Sequence, residues 1–219
     1  MTWIKICGTT SLADAELSVS GGADALGFIF AESPRRIDLL LAAEIIDALP
    51  AQVEKIGVFV NETPTRVGRI ATQLGLTGVQ LQGDELAEQL GEFRQALGDR
   101  RIIKTLQANR WLGSAQDLSA DDLRPGPDAV LLDSGSAAQR GGTGLPFDWE
   151  KALPLARTIQ SFVPLIVAGG LNPQNVGEAL RLFYPWGVDV VSGVEREPGK
   201  KDEAKLRAFI AAVRRQPAG

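Results

Sequence analysis

The chain has 219 residues, of which 44% are apolar and 23% charged, and its formal net charge is -4. This length and composition predict one globular domain spanning residues 1–219 and exclude disorder, a collagen-like chain and a coiled coil. Acidic and basic residues alternate without forming a basic stripe, so neither nucleic acid nor an anionic membrane is expected as a partner.

The sequence contains no histidine, which removes several classes of enzyme. A Ser-His-Asp or Cys-His pair and a His-ligated metal site all need an imidazole. Cys7 is the only cysteine, so it cannot form an internal disulfide or a multi-cysteine metal site, and we expect no metal. No apolar run reaches about 18 residues, and the start MTWIKICG lacks the features of a signal peptide. We therefore expect a cytoplasmic protein without a membrane span.

Short runs rich in Val, Ile, Leu and Phe alternate with longer stretches whose apolar residues recur at helical spacing. The predicted strands begin at Trp3, Asp24, Lys55, Gly78, Arg101, Asp128, Val163 and Val188. The predicted helices cover residues 12–20, 39–49, 65–74, 85–97, 148–159, 173–183 and 202–214. Between strands five and six, glycine and proline interrupt the pattern, so only one short helix is expected there.

Eight such β-α units fit either a closed (β/α)8 barrel or an open, doubly wound sheet. An open dinucleotide-binding sheet favours a Gly-x-Gly-x-x-Gly turn after its first strand, but the chain reads CGTT from Cys7. The near-uniform repeats and the missing fingerprint predict a compact, single-domain (β/α)8 TIM barrel. In this fold the chemistry lies at the carboxyl ends of the strands.

Two reactive side chains end predicted strands at that rim. Alternation along the first strand places Trp3, Lys5 and Cys7 inside the barrel, with Cys7 at the top. A lone cysteine is also a common small core residue, so this position alone does not decide its role. Asp133 closes the apolar run AVLLD, where it either has a perturbed pKa or caps a loop by accepting N–H bonds.

Three glycine-rich turns offer backbone N–H groups to an anion: GGTG at 141–144, AGGLNPQN at 168–175 and SGVE at 192–195. Two of them precede predicted helices, and loops after strands seven and eight of barrels commonly hold phosphate. Each turn could instead be a tight turn without a ligand. Arg35 and Arg36, after the second strand, suit a carboxylate or a second phosphate, although a solvated pair is also common.

Sequence blocks along essentially the whole chain carry a resemblance to one family. They are KICGTT at 5–10, GADALGFIFAESPRRI at 22–37, IGVFVN at 56–61, VQLQG at 79–83, LLDS at 131–134, GGTGLPFDW at 141–149, AGGLNPQNV at 168–176 and VDVVSGVEREPGKKD at 188–202. Together they resemble the phosphoribosylanthranilate isomerases of tryptophan biosynthesis.

The resemblance implies an Amadori rearrangement of N-(5-phosphoribosyl)anthranilate to 1-(2-carboxyphenylamino)-1-deoxyribulose 5-phosphate, with no cofactor. It implies Cys7 as general base, Asp133 as general acid and Arg35, with Arg36 as the neighbouring alternative, as the group that holds the anthranilate carboxylate. The other substrate-binding positions are Gly142, Gly144, Gly169, Gly170, Asp189, Ser192 and Gly193. The expected partner is a small phosphosugar, bound by a monomer or homodimer.

The proposed roles set expectations for the two ionisable groups. Positive charge from Lys5, Arg35 or the cationic iminium intermediate should lower the pKa of the Cys7 thiol. The pKa of Asp133 should be raised, because it must hold a proton when it acts.

The chain departs from the family pattern at two positions. Gln82 stands where the family's VQLHG has histidine, and Val191 replaces the first of two serines before GVE. We expect the first change to alter the fit of the site and the second to alter affinity.

Two other functions remain open from the residues alone. A Schiff-base aldolase on the same barrel would use Lys5 or Lys104 as its amine nucleophile. A non-catalytic phosphosugar-binding barrel would bind a product analogue without turnover.

Overall fold

Eight parallel strands close into a barrel in the computed structural model, which describes residues 1–111, 126–134 and 148–215. Each strand pairs with the next, and the eighth pairs with the first. The strands are β1 Trp3–Cys7, β2 Ala25–Ile29, β3 Glu54–Phe59, β4 Gly78–Leu81, β5 Arg101–Gln107, β6 Ala129–Asp133, β7 Leu165–Val167 and β8 Gly187–Val190. This closure confirms the predicted (β/α)8 barrel and excludes the open sheet.

Helices follow the strands around the outside of the barrel. They are α1 Leu12–Gly21, α2 Leu39–Ala48, α3 Pro64–Gln73, α4 Ala87–Leu97, α5 Ala108–Trp111, α6 Trp149–Gln160, α7 Val176–Phe183 and α8 Glu203–Arg214. Most begin after a polar side chain that accepts an N–H bond from the first turn, as at Ser11, Asp38, Thr63, Asp148 and Asp202. None of the described helices is long and apolar enough to cross a membrane.

Helix α4 begins two residues later than the predicted start at Glu85. The Glu85 side chain turns inward, accepts bonds from the N–H groups of Asn61 and Gly83, and pairs with Lys104 at 2.6 Å. These contacts hold Glu85 in the loop before the helix. The spacing of polar and apolar residues could not predict this, because it does not show which side chain a glutamate contacts.

Helix α7 begins at Val176 and not at the predicted Pro173. The Asn172 side chain does accept N–H bonds, as a helix cap would, from Gln174 and Asn175. It closes a separate turn, and the Asn175 side chain bonds back to the N–H of Asn172 at 2.8 Å. The asparagine pair thus adds a rigid turn before the helix.

A short hairpin after β8 was not predicted. A 3-10 turn at Ser192–Val194 leads into β9 Glu195–Glu197, which pairs antiparallel with β10 Lys200–Lys201. Gly199 has a φ of 80° in the connection. The sequence EREPGKK has too few apolar residues to show the period-two pattern of a strand.

The core has two layers separated by the barrel wall. The inner cluster comprises Trp3, Ala25, Ile56, Ile103, Ala129, Leu131, Ile166 and Ala168. Ile4 and Ile6 belong to the outer cluster beneath the helices, which confirms the predicted alternation along β1. Trp3 stacks on Trp186 with ring centroids 5.0 Å apart, and it closes the amino-terminal end of the barrel.

Candidate active site

A cavity of about 650 Å³ opens at the carboxyl ends of the strands. Most of the predicted site residues line it: Cys7, Arg35, Asp133, Gly169, Gly170, Asp189 and Ser192. Gly193 follows Ser192 in the 3-10 turn. Gly142 and Gly144 lie outside the described residues. The fold therefore brings together residues from the first, second, sixth, seventh and eighth β-α units.

Cys7 ends β1 and is only 3% exposed. Lys5 lies two residues earlier on the same face of β1 and is fully buried. Its Nζ lies 2.9 Å from Oδ1 of Asp189. A Cβ on Gly27 would come within 2.5 Å of the Cys7 sulfur and 3.0 Å of Lys5 Nζ. The glycine on the neighbouring strand thus leaves the space that the thiol and the ammonium occupy.

Burial raises the pKa of the Cys7 thiol, and the nearby charge of Asp189 acts in the same direction. Lys5 and Lys201 oppose this rise without reversing it. The prediction of a lowered thiol pKa is therefore wrong for the protein without substrate. Sequence reasoning identified Lys5 as a neighbour but underestimated the cost of ionising a thiol in an apolar strand end.

Lys5 and Lys104 are held in ion pairs, which argues against the aldolase. Burial alone would lower the pKa of Lys5, but Asp189 and Cys7 together raise it above its ordinary value. A Schiff-base lysine needs a neutral amine, and Lys5 stays protonated. Lys104 Nζ donates to the Gly83 carbonyl at 2.8 Å and to Glu85 at 2.6 Å.

Asp133 ends β6, is 5% exposed, and accepts a hydrogen bond from Gln82 Nε2 to its Oδ2 at 3.1 Å. The other end of the Gln82 amide accepts bonds from Gln80 Nε2 at 2.5 Å and Thr105 Oγ1 at 2.8 Å. Those two donors fix the amide so that its N–H group meets the carboxylate. Sequence analysis noted Gln82 only as a departure from the family, although period two after β4 places it on the barrel's inner side with Gln80.

Arg35 lies in the loop after β2 and contacts the cavity, whereas Arg36 is exposed. The structure thus favours Arg35 over Arg36 as the residue that meets a ligand. Its Nε and Nη2 donate to the carboxylate of Glu195, with the shortest distance, 2.7 Å, from Nη2. Lys201 Nζ bonds to the same carboxylate at 3.2 Å and also to the Cys7 carbonyl at 2.5 Å.

Glu195 and Lys201 were not predicted from the sequence as site residues. Both stand in the block VDVVSGVEREPGKKD, and their place in that family motif was the signal that the sequence offered; their burial is visible only in the structure. Charged side chains are almost never fully buried unless they are paired, as Glu195 and Lys201 are.

Backbone conformation and packing also require glycine at several positions of the predicted phosphate-binding turns. Gly169 and Gly170 have φ values of 77° and 69°, and a Cβ on Gly169 would meet the backbone of Ser134. A Cβ on Gly193 would collide with the Leu171 carbonyl. Among the described residues, none accepts a hydrogen bond from the N–H group of Gly170 or Gly193. Both groups can therefore donate to an anion at this rim.

The turn at residues 172–175 reduces the number of backbone N–H groups that this segment can offer to a phosphate. The N–H groups of Asn172, Gln174 and Asn175 already bond to asparagine side chains. The donors that this segment can offer to phosphate therefore come before Asn172. Within the described ranges, no group of Cys, Asp and Glu side chains has the arrangement needed to hold a metal ion.

The fold and the cavity define a (β/α)8-barrel protein with a thiol, a carboxyl group, a guanidinium and glycine-rich turns at the carboxyl ends of its strands. A family model described as N-(5'phosphoribosyl)anthranilate (PRA) isomerase matches residues 4–212. The chain belongs to this family.

Relatives agree over nearly the full length. The chain is 45% identical to an N-(5'-phosphoribosyl)anthranilate isomerase of Geobacter sulfurreducens over 213 residues, covering 96% of this chain and 97% of the relative. It is similar to the solved phosphoribosyl anthranilate isomerase of Thermotoga maritima, with a TM-score of 0.83, 37% identity and coverage of 98% and 99%. It is also similar to such an isomerase solved with reduced 1-(o-carboxyphenylamino)-1-deoxyribulose 5-phosphate, with a TM-score of 0.79, 35% identity and coverage of 98% and 99%.

Proposed function

We propose that this chain catalyses the Amadori rearrangement of N-(5-phosphoribosyl)anthranilate to 1-(2-carboxyphenylamino)-1-deoxyribulose 5-phosphate in tryptophan biosynthesis. One observation carries the proposal for a member of this family. Cys7 and Asp133 stand on β1 and β6, which are three strands apart around a closed eight-stranded barrel, and both line the same cavity. An acid and a base can therefore act on one sugar from different sides.

Asp133 acts in the first step as general acid. The bond between C1 and the ring oxygen breaks, its electron pair goes to that oxygen, and Asp133 supplies the proton. The nitrogen lone pair forms the C1=N bond of a cationic iminium. The carboxylate that remains on Asp133 is stabilised by the N–H group of Gln82, 3.1 Å from Oδ2.

Cys7 acts in the second step as general base. The thiolate removes the proton from C2, the C–H electrons form a C1=C2 bond, and the C=N pair returns to nitrogen. The resulting enol then becomes the ketone by gaining a proton at C1 and losing one from the C2 oxygen. Because the thiol pKa is raised without substrate, the positive iminium and Lys5 are the charges that promote ionisation.

The ends of the substrate are held by separate groups. Arg35 binds the anthranilate carboxylate, and the turns with Gly170 and Gly193 bind the phosphate through backbone N–H groups. The remaining positions of this proposed site are Gly142, Gly144, Gly169, Asp189 and Ser192. A small phosphosugar is then the ligand, and we expect a cytoplasmic monomer or homodimer.

The test is to follow the loss of anthranilate fluorescence with freshly prepared N-(5-phosphoribosyl)anthranilate. Cys7→Ala and Asp133→Asn should each lower kcat by about 10²–10⁴-fold while the reduced product analogue still binds. Asp47→Asn, on the exposed face of α2, is the matched control and should leave kcat unchanged. No turnover by the unsubstituted protein, or near-normal turnover by Cys7→Ala, would reject the proposal.

A further inference from the structure

Glu195 is a buried carboxylate that the proposed reaction does not use directly. It begins β9, and its side chain is 4% exposed. Its oxygens accept bonds from Arg35, from the Gly199 N–H at 3.2 Å, and from Lys201 Nζ at 3.2 Å. Burial alone would raise the pKa of Glu195, but Arg35 and Lys201 bring it below its ordinary value. Glu195 is therefore an ionised group held in one place from several directions.

The contact with Arg35 uses one edge of the guanidinium. Nε lies 3.0 Å and 2.9 Å from the two Glu195 oxygens, and Nη2 lies 2.7 Å from the second. A guanidinium carries five N–H groups in a rigid plane, so the edge formed by Nη1 and Nη2 still has donors to offer. Arg35 also lines the cavity beside Cys7. The geometry therefore suits a guanidinium that is fixed on one edge and binds ligand with the other.

The hairpin that carries Glu195 is anchored to the strand that carries the candidate base. Lys201 Nζ, fully buried, donates to the Cys7 carbonyl as well as to Glu195. Thr10 Oγ1, in the loop after β1, donates to the Gly199 carbonyl. Hydrogen bonds therefore connect Arg35, through Glu195 and Lys201, to the backbone of Cys7.

We propose that Glu195 is the positioning residue for substrate carboxylate recognition: it fixes the Arg35 guanidinium so that the remaining edge pairs with the anthranilate carboxylate. This inference rests on the proposed function. A guanidinium that is held by a buried carboxylate loses little rotational freedom when it binds a second one. Without Glu195, the long side chain of Arg35 has to be ordered by the substrate itself.

The experiment compares two substrates that differ only in the carboxylate. N-(5-phosphoribosyl)anthranilate and N-(5-phosphoribosyl)aniline can be prepared from ribose 5-phosphate with anthranilate or aniline. For Glu195→Gln, which keeps the size but loses the charge, KM for the anthranilate substrate should rise by about 10-fold or more, with kcat within about 3-fold. KM for the aniline substrate should change by less than about 2-fold, because Arg35 has no carboxylate to bind.

Glu197→Gln is the matched control. Glu197 lies on the same strand, but its carboxylate is 55% exposed and pairs with Lys200 in solvent. This variant should leave KM for both substrates unchanged. If Glu195→Gln does not fold, Glu195→Asp keeps the charge and shortens the reach, and it should show the same selective rise in KM.

Two results would overturn the inference. Equal increases in KM for the two substrates, with either Glu195 variant, would mean that Glu195 only maintains the structure of the hairpin. An unchanged KM for the anthranilate substrate would mean that Arg35 needs no support. Both results leave the proposed function standing, whereas no turnover of N-(5-phosphoribosyl)anthranilate by the unsubstituted protein removes both.

Discussion

Replacing Lys5 by methionine removes a fully buried charge from the inside of the barrel. Lys5 is fully buried, and its Nζ forms an ion pair with Asp189 Oδ1 at 2.9 Å. Methionine has a similar length but no charge, so the Asp189 carboxylate, which is 5% exposed, would lose its cationic partner. Removing one member of a buried ion pair costs about 3–5 kcal/mol, and we expect Lys5→Met to lose that much stability.

The double variant Lys5→Met/Asp189→Leu separates an unpaired charge from lost packing. It removes both charges, so its free energy of unfolding should return to within about 2 kcal/mol of the unsubstituted protein. Lys200→Met is the control, because the Lys200–Glu197 pair is more than half exposed and should contribute less than about 1 kcal/mol. Urea denaturation followed by circular dichroism gives all of these values.

Either of two results would contradict a strongly coupled Lys5–Asp189 pair. If Lys5→Met lowers the free energy of unfolding by less than about 1 kcal/mol, the Lys5–Asp189 pair contributes no more than an exposed ion pair does. A double variant less stable than Lys5→Met would show that packing, and not the unpaired carboxylate, dominates.

Three further predictions concern single residues. Burial raises the pKa of the Cys7 thiol in the folded protein above the value of about 8.5 in the unfolded chain. The contribution of the protonated thiol to the free energy of unfolding is therefore present below pH 8.5 and is lost as the pH rises through the pKa of the folded protein. Thiolate absorbance at 240 nm should therefore appear above pH 8.5, and a lower midpoint contradicts this. Gln82→Leu should lower kcat about 10-fold with little change in KM, because Asp133 loses a donor; an unchanged kcat contradicts this. Gly169→Ala should lower stability by more than about 1 kcal/mol in urea denaturation, since its φ is 77° and Ser134 approaches closely; equal stability contradicts this.

The barrel itself was predictable because strand alternation and helical spacing are local properties of the chain. The order Trp3, Ile4, Lys5, Ile6, Cys7 already separates the inner face of β1 from the outer face. The rule that sites of this fold lie at strand ends then singled out Cys7 and Asp133, and both line the cavity.

The partners of the charged side chains were not predictable in the same way. Arg35 and Glu195 are 160 positions apart in the chain, and no local pattern shows that they share hydrogen bonds. The sign of the Cys7 pKa shift was also missed, because it depends on the balance between burial and the charges of Lys5 and Asp189. Such balances need the three-dimensional arrangement.

The central claim, that a thiol and a carboxyl group act on one ribose from different sides, is tested most directly by a crystal structure of this protein with reduced 1-(o-carboxyphenylamino)-1-deoxyribulose 5-phosphate. We expect the sulfur of Cys7 about 4 Å or less from C2, and the Asp133 carboxyl within about 2.6–3.2 Å of the C4 oxygen. An analogue bound with its sugar out of reach of either group would contradict the account.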